Sequence, residues 1–487
     1  MCETIHFFKE KMILICFLIL LASATVSATA LLPTPTAVQL RFQDAEIGAL
    51  VQWNIGIFGE ETNNYACSHG VIPAANFAPG DAAIPDVNAW ARTARDMGAE
   101  HAVLTAQAGC GFLLWPTNAT LATTGETYPY TTRAATHYRG DIDLVGSFVD
   151  ACRKVGVRPG IYYQIANNVY CNVSSCVIGE NSPCGNQAQY ENLVLAQIKE
   201  LWSNYGQLAE LWFDGGVDSG SKPTPGSLSY RVASLMAKLQ PDAVGFQAPG
   251  NVNGIRWAGS EQGTTSDDTW STSVGGAVDF GPGSPKGKIW APVECDVTLQ
   301  ANGEWYWQKG VPLRTLAELA TIHDGCVGHN GNLLLAVHPT LNGTIDPMHD
   351  KRGREFAAWR EACYGEESRI NGTNATQEVR VNTSIVIALG TAGGGSDPTV
   401  NRLVVEEAQG EGGQKVRGFE VDLWNLDDGT WVNVLSGASI GHKRIVDVGG
   451  GMAAEWARLT ITKAAPGVAT VDIRSFAAFT CDAPPMV

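Results

Sequence analysis

Two apolar periodicities take turns along most of this chain. Short β-branched or aromatic runs at 51–58, 101–106, 158–165, 208–213, 243–247, 288–293 and 332–337 read as strands. Amphipathic helical stretches at 86–97, 144–155, 187–205 and 229–239 lie between several of them. Strands that alternate with helices imply a parallel sheet with crossover connections. About eight such units between residues 35 and 365 predict a closed (β/α)8 barrel of the TIM type. An open doubly wound sheet fits less well, because no G-x-G-x-x-G follows a strand.

The pattern changes after Cys363. A polar stretch is followed by period-two runs at 379–389, 402–406, 416–423, 430–435, 458–462 and 470–473, separated by turn residues, as in a β-sandwich. The predicted organisation is therefore a leader at 1–30, a barrel at 31–365, a linker at 366–376 and a sandwich at 377–487.

The leader reading rests on an 11-residue apolar run from Met12 to Ala22, behind Lys9 and Lys11 and ahead of Ala-Ser-Ala and Val-Ser-Ala steps. That run is short for a spanning helix and has the shape of a secretory signal. Cleavage there removes Cys2 and Cys16 and leaves an even number of cysteines for an oxidising compartment. Disulfides are expected, at least one of them stapling the loop that holds Cys171, Cys176 and Cys184. Sequons at Asn118, Asn172, Asn342, Asn371, Asn374 and Asn382 agree with passage through the secretory pathway. Secretion, with no stable membrane association after cleavage, is the expected outcome.

Composition narrows the chemistry. Hydrophobic residues make up 45% and charged residues 17%, a globular balance. A net charge of −16 without a Lys/Arg block argues against nucleic acid and anionic lipid, and favours a neutral or weakly charged substrate. With no paired C-x-x-C and no H-E-x-x-H, no metal or other cofactor is expected.

In a (β/α)8 barrel the reactive groups sit where strands end. Leu211-Trp212-Phe213-Asp214-Gly215-Gly216 is the clearest such place: an aromatic pair leads the acid out of the core, and two glycines permit a sharp turn. A hydrolase acting on sugars needs a second carboxyl from another strand. Glu261, in Arg256-Trp257-Ala258-Gly259-Ser260-Glu261, and Glu294, in Trp290-Ala291-Pro292-Val293-Glu294-Cys295-Asp296, both qualify. An acid needs a pKa raised by burial, and Trp257 beside Glu261 suits that role. Sugar C–H faces pack on aromatic rings, which singles out Trp115, Trp212, Trp257 and the run Trp305-Tyr306-Trp307.

At these residues the sequence resembles the α-L-fucosidases of glycoside hydrolase family 29. The likeness extends over Asn88 to Pro116, Asp141 to Tyr163, the Asp214 strand, Gly331-Asn332-Leu333-Leu334-Leu335, and Ile440-Gly441-His442-Lys443-Arg444-Ile445 in the second domain. It implies a retaining mechanism without metal that releases terminal L-fucose from fucosylated oligosaccharides or glycoproteins. It makes Asp214 the nucleophile and Glu261 the acid/base, with Glu294 second choice. Gln52, Trp115, Tyr162, Trp212 and Trp257 become pocket residues. The chain departs from the family where Gln52 stands for a first-strand His, and where Ala108-Gly109 stand for a His-His pair that normally holds fucose hydroxyls. Those departures keep two alternatives open: a same-fold glycosidase for another sugar, or a catalytically weak carbohydrate-binding homologue.

Overall fold

The computed structural model describes residues 31–59, 67, 70–78, 85–135, 142–218, 224–250, 253–389 and 398–481. The leader and Asp141 lie outside them.

Eight parallel strands close into a barrel. They are β1 (Ile47–Val51), β2 (His101–Gln107), β3 (Arg158–Tyr163), β4 (Glu210–Trp212), β5 (Val244–Phe246), β6 (Gly254–Trp257), β7 (Val293–Val297) and β8 (Gly331–Val337). Each pairs with its sequence neighbours, and β8 closes on β1 through Ile47 to Leu333 and Val51 to Val337.

Three strands differ from expectation. The run at 51–58 is the tail of β1 followed by a 3-10 turn, Ile55–Phe58, because the Asn54 side chain accepts the Ile55 N–H at 2.8 Å and ends the extended chain. The run at 288–293 is split by Pro292, which has no N–H to give a ladder. Ile289–Trp290 pairs antiparallel with Thr272–Ser273, and the barrel strand starts only at Val293. Strand β6 carries a fully buried charge, Arg256, which disguised its alternation. The guanidinium donates to the carbonyls of Gly281, Ala291 and Trp270 and so folds the long excursion after β6 back onto the barrel.

The helices that cover the barrel begin at polar caps. They are α1 (Ala37–Ala45), α2 (Val87–Asp96), α3 (Leu144–Val155), α4 (Gln187–Asn204), α5 (Leu228–Leu239), α6 (Leu316–Cys326) and α7 (Pro347–Tyr364). Thr36, Asp86, Asp143, Asn186, Ser227, Thr315 and Asp346 each accept a first-turn N–H through the side chain. Among the described residues, no α-helix joins β5 to β6 or β6 to β7. Helix α1 plugs the N-terminal end of the barrel. Its Phe42 sits in the interior cluster with Leu50, Val103 and Leu334, and Gln39 donates to the carbonyls of Gly254 and Trp290.

The second domain is an antiparallel sandwich. Its strands are β9 (Arg369–Gly372), β10 (Gln377–Arg380), β11 (Thr383–Ala388), β12 (Thr399–Glu407), β13 (Val416–Asn425), β14 (Thr430–Gly437), β15 (Arg444–Ala464) and β16 (Thr470–Phe479). The first half of β15 pairs with β12 and the second with β11 and β13, so one long strand serves both layers. Leu403, Phe419, Leu459 and Ile473 are among the side chains that fill the space between. Strand β9 lies in the stretch read as a linker, where Arg369 pairs with Phe479.

The sandwich docks on the N-terminal end of the barrel. Lys443 pairs with Glu46, which precedes β1, and the His442 N–H donates to Asn330 Oδ1 at 2.7 Å, just ahead of β8. Disulfides join Cys67–Cys110, Cys171–Cys184, Cys295–Cys326 and Cys363–Cys481. The second staples the predicted loop, the last ties the end of α7 to the end of the sandwich, and Cys152 and Cys176 stay as thiols.

Candidate active site

Strand β4 delivers Asp214 to the C-terminal mouth of the barrel. Gly215 and Gly216 follow with φ of +72° and +77°, a region closed to most side chains, and a Cβ on Gly215 would lie 2.9 Å from that of Ala166. The turn therefore requires glycine. Asp214 Oδ2 accepts the Tyr162 hydroxyl at 2.7 Å and the Gln164 amide at 3.1 Å. Burial raises the pKa of Asp214; the Tyr162 hydrogen bond opposes that rise, and the charge of Glu261 adds to it.

Tyr162→Phe tests this balance. Asp214 must be ionised to attack as a nucleophile, so in that role the acid limb of kcat/KM is expected to follow it and to lie above the ordinary carboxylate value. Loss of the hydroxyl removes a group that stabilises the anion, and the acid limb moves to higher pH. A kcat/KM profile of the variant whose acid limb stays in place or moves lower contradicts the assignment.

Asp214 faces a cavity of about 260 Å³. Gln52, Tyr162, Trp212, Trp257 and Glu261 line it with Asp214, so the barrel brings together six of the eight residues that the family resemblance assigns to the site, and Trp305 from the aromatic run joins them. Ala108 and Gly109 line it as well, which puts the departures from the family pattern inside the pocket. The floor is aromatic: the Trp212 ring stacks between Phe246 at 3.9 Å and Tyr162 at 5.0 Å.

Glu261 is solvent-exposed, in the loop after β6, and its Oε2 accepts the indole N–H of Trp305 at 3.0 Å. The expected burial against Trp257 does not occur. The Trp257 indole instead donates to Asp296 Oδ1 at 2.7 Å. Asp296 also lines the cavity, and burial, opposed by the Trp257 bond and aided by the Glu261 charge, lifts its pKa to about 7.

Two predicted residues sit elsewhere. Trp115 is buried between barrel and helices, where its indole donates to Glu200 Oε2 of α4 at 3.1 Å. The chain after β2 turns outward before reaching it. Glu294 points into the barrel, but two residues earlier on β7 than Asp296, and strand periodicity places it one layer deeper. There it accepts the Trp212 indole at 2.9 Å and lies with Glu210 and His101, ligand atoms within 4.8 Å of one another. Burial and the neighbouring Glu210 raise the pKa of Glu294 well above the usual carboxylate range, and its bond to the Trp212 indole makes it a support beneath the floor. Leu50, Gln164, Phe246, Gln247 and Asp296 are lining residues that sequence reading left out of the pocket, while Trp305, from the aromatic run, reaches it as a candidate. The period-two step from Glu294 was a signal for Asp296.

Comparison with known proteins agrees with this architecture. A family model described as alpha-L-fucosidase matches residues 75–366. The chain is 24% identical over 455 residues to alpha-L-fucosidase 1 of Arabidopsis thaliana, covering 85% of this chain and 82% of that one. A Bacteroides thetaiotaomicron crystal structure superposes with a TM-score of 0.78 at 27% identity, over 93% of this chain and 100% of that one. A Ruminococcus gnavus GH29 fucosidase in complex with fucose shares the fold, with a TM-score of 0.75 at 21% identity over 93% and 97% of the two chains.

Proposed function

The chain belongs to the α-L-fucosidase family of glycoside hydrolases, and on that premise we propose that it is a secreted, retaining exo-enzyme that removes terminal L-fucose from glycans. The observation that carries the reading is the shared cavity: Asp214 from β4 and Glu261 from the loop after β6 face the same small space above an aromatic floor.

In the proposed first step Asp214 attacks the anomeric carbon while Glu261 gives its proton to the departing glycosidic oxygen. In the second, Glu261 takes a proton from water, the water attacks the same carbon from the side that the aglycone left, and Asp214 is released. Tyr162 and Gln164 hold the Asp214 carboxylate in place for attack, the positioning that makes such a step effectively unimolecular. A cavity of this size takes a chain end and leaves the aglycone outside.

Secretion is supported by the apolar leader, the disulfides, and the exposure of all the sequon asparagines named above.

The test is hydrolysis of an aryl α-L-fucoside by the chain from a secretory host, followed by NMR of the first sugar formed. L-fucose is expected as the α anomer. The β anomer appearing first overturns retention. A second reading, another deoxy sugar or neutral pyranoside on the same machinery, is favoured by Gln52, Ala108 and Gly109 in the pocket. Cleavage of a different aryl glycoside with none of the fucoside would establish it.

A further inference from the structure

The odd-numbered barrel strands end in a repeated chemistry. Gln52 directly follows β1, Gln164 follows β3, Gln247 follows β5, and Asp296 is the penultimate residue of β7. Inward side chains of an eight-stranded parallel barrel fall into layers of four drawn from alternate strands. All four of these line the cavity of Asp214 and Glu261, so its upper layer is three carboxamides and one carboxyl.

Three members have partners: Gln52 pairs with the Tyr306 hydroxyl, Gln164 donates to Asp214, and Asp296 accepts from Trp257. Gln247 differs. Its backbone is left-handed, φ +50°, a region that a side chain of this size rarely adopts. Its Oε1 is buried without a hydrogen-bond partner. Folding normally satisfies a buried amide oxygen, because leaving it unpaired is costly. Strain and an unpaired acceptor, together on the wall of a catalytic cavity, mark a group held ready for a ligand.

We propose that this amide ring reads the hydroxyls of a neutral pyranose, and that Gln247 is the residue that decides which hydroxyl arrangement is accepted. A carboxamide supplies both a donor and an acceptor without changing charge, so it can pair with a hydroxyl in either sense. The Asp214 carboxylate beside the same space disfavours sugars that carry a carboxylate, since like charges in a confined site repel. The inference rests on the glycosidase reading, not on fucose in particular.

The experiment is calorimetric binding to the full-length Asp214→Asn protein, which holds sugar without turning it over. The panel is L-fucose, its singly deoxygenated analogues, D-galactose with its own deoxy series, and the corresponding uronic acids. Gln247→Gly, which suits the left-handed backbone, and Gln247→Glu, which keeps the shape but loses the donor, are each added. The parent should prefer its sugar over one deoxy analogue by about 100-fold or more, since a site built to bond a hydroxyl rejects its absence. Gln247→Gly should collapse that single preference and leave those at the other carbons in place, whereas Gln247→Glu, which keeps an acceptor oxygen, should retain it. Uronic acids should not bind to the unsubstituted protein, whose Asp214 keeps its charge.

Even weakening toward every sugar, or unchanged selectivity in Gln247→Gly, overturns the proposal, as does binding of a uronic acid to the unsubstituted protein or of no neutral sugar. If the parent binds the galactose series in place of fucose, the fucose reading fails, and the ring is judged on that series by the same criterion.

Discussion

Asp214→Asn lowers kcat on an aryl α-L-fucoside by about a thousandfold or more, the loss expected when a covalent nucleophile is removed. A thousandfold is about 4 kcal/mol of transition-state stabilisation. Asparagine keeps an acceptor for the Tyr162 hydroxyl, so the pocket retains its shape and the defect is chemical. Added azide should then restore part of the turnover by occupying the nucleophile's side, and its product should be the β-L-fucosyl azide, inverted relative to substrate. A variant as active as the parent, or an azide adduct of the α configuration, removes Asp214 from the attacking role.

The second large effect depends on the leaving group. Glu261→Gln should cut kcat/KM on a glycan, whose departing oxygen needs a proton, by about a hundred- to ten-thousandfold. On an activated aryl fucoside, which departs unaided, the first step survives and the second slows, so a burst of phenol precedes a slow steady state. Azide accelerates that steady state and gives the α-L-fucosyl azide. The control is Asp296→Asn. Asp296 is buried with its pKa lifted to about 7, where a proton donor works well, while Glu261 stands at the mouth. If the leaving-group dependence appears in Asp296→Asn and not in Glu261→Gln, the two carboxyls exchange roles.

Barrel and sandwich were legible because each rests on a periodicity that survives without neighbours: helical crossovers in the first, alternation in the second. Strand ends were less so. A run such as that at 288–293 is uniformly apolar whether it pairs in the barrel or in a side hairpin, and only Pro292 marked the break. Strand β6 was obscured because Arg256 is stabilised by three carbonyls distant in sequence, a tertiary arrangement that no local pattern records. Asp214 was readable because two glycines must follow it. Glu294 was misjudged by one strand repeat, a depth of two residues that decides between the wall of a pocket and the support beneath it. Trp115 was misjudged because its loop turns outward, and loop direction is not encoded in strand pattern. Gln247 was invisible, since its signal is a backbone angle and an unpaired atom.

The sandwich grips the end of the barrel away from the reaction, through Lys443 with Glu46 and the bridge from Cys363 to Cys481. A molecule tethered to a resin or a cell wall by that module would hold its mouth outward, free to meet branches on bulky polymers. Fusion partners are best attached on that side for the same reason.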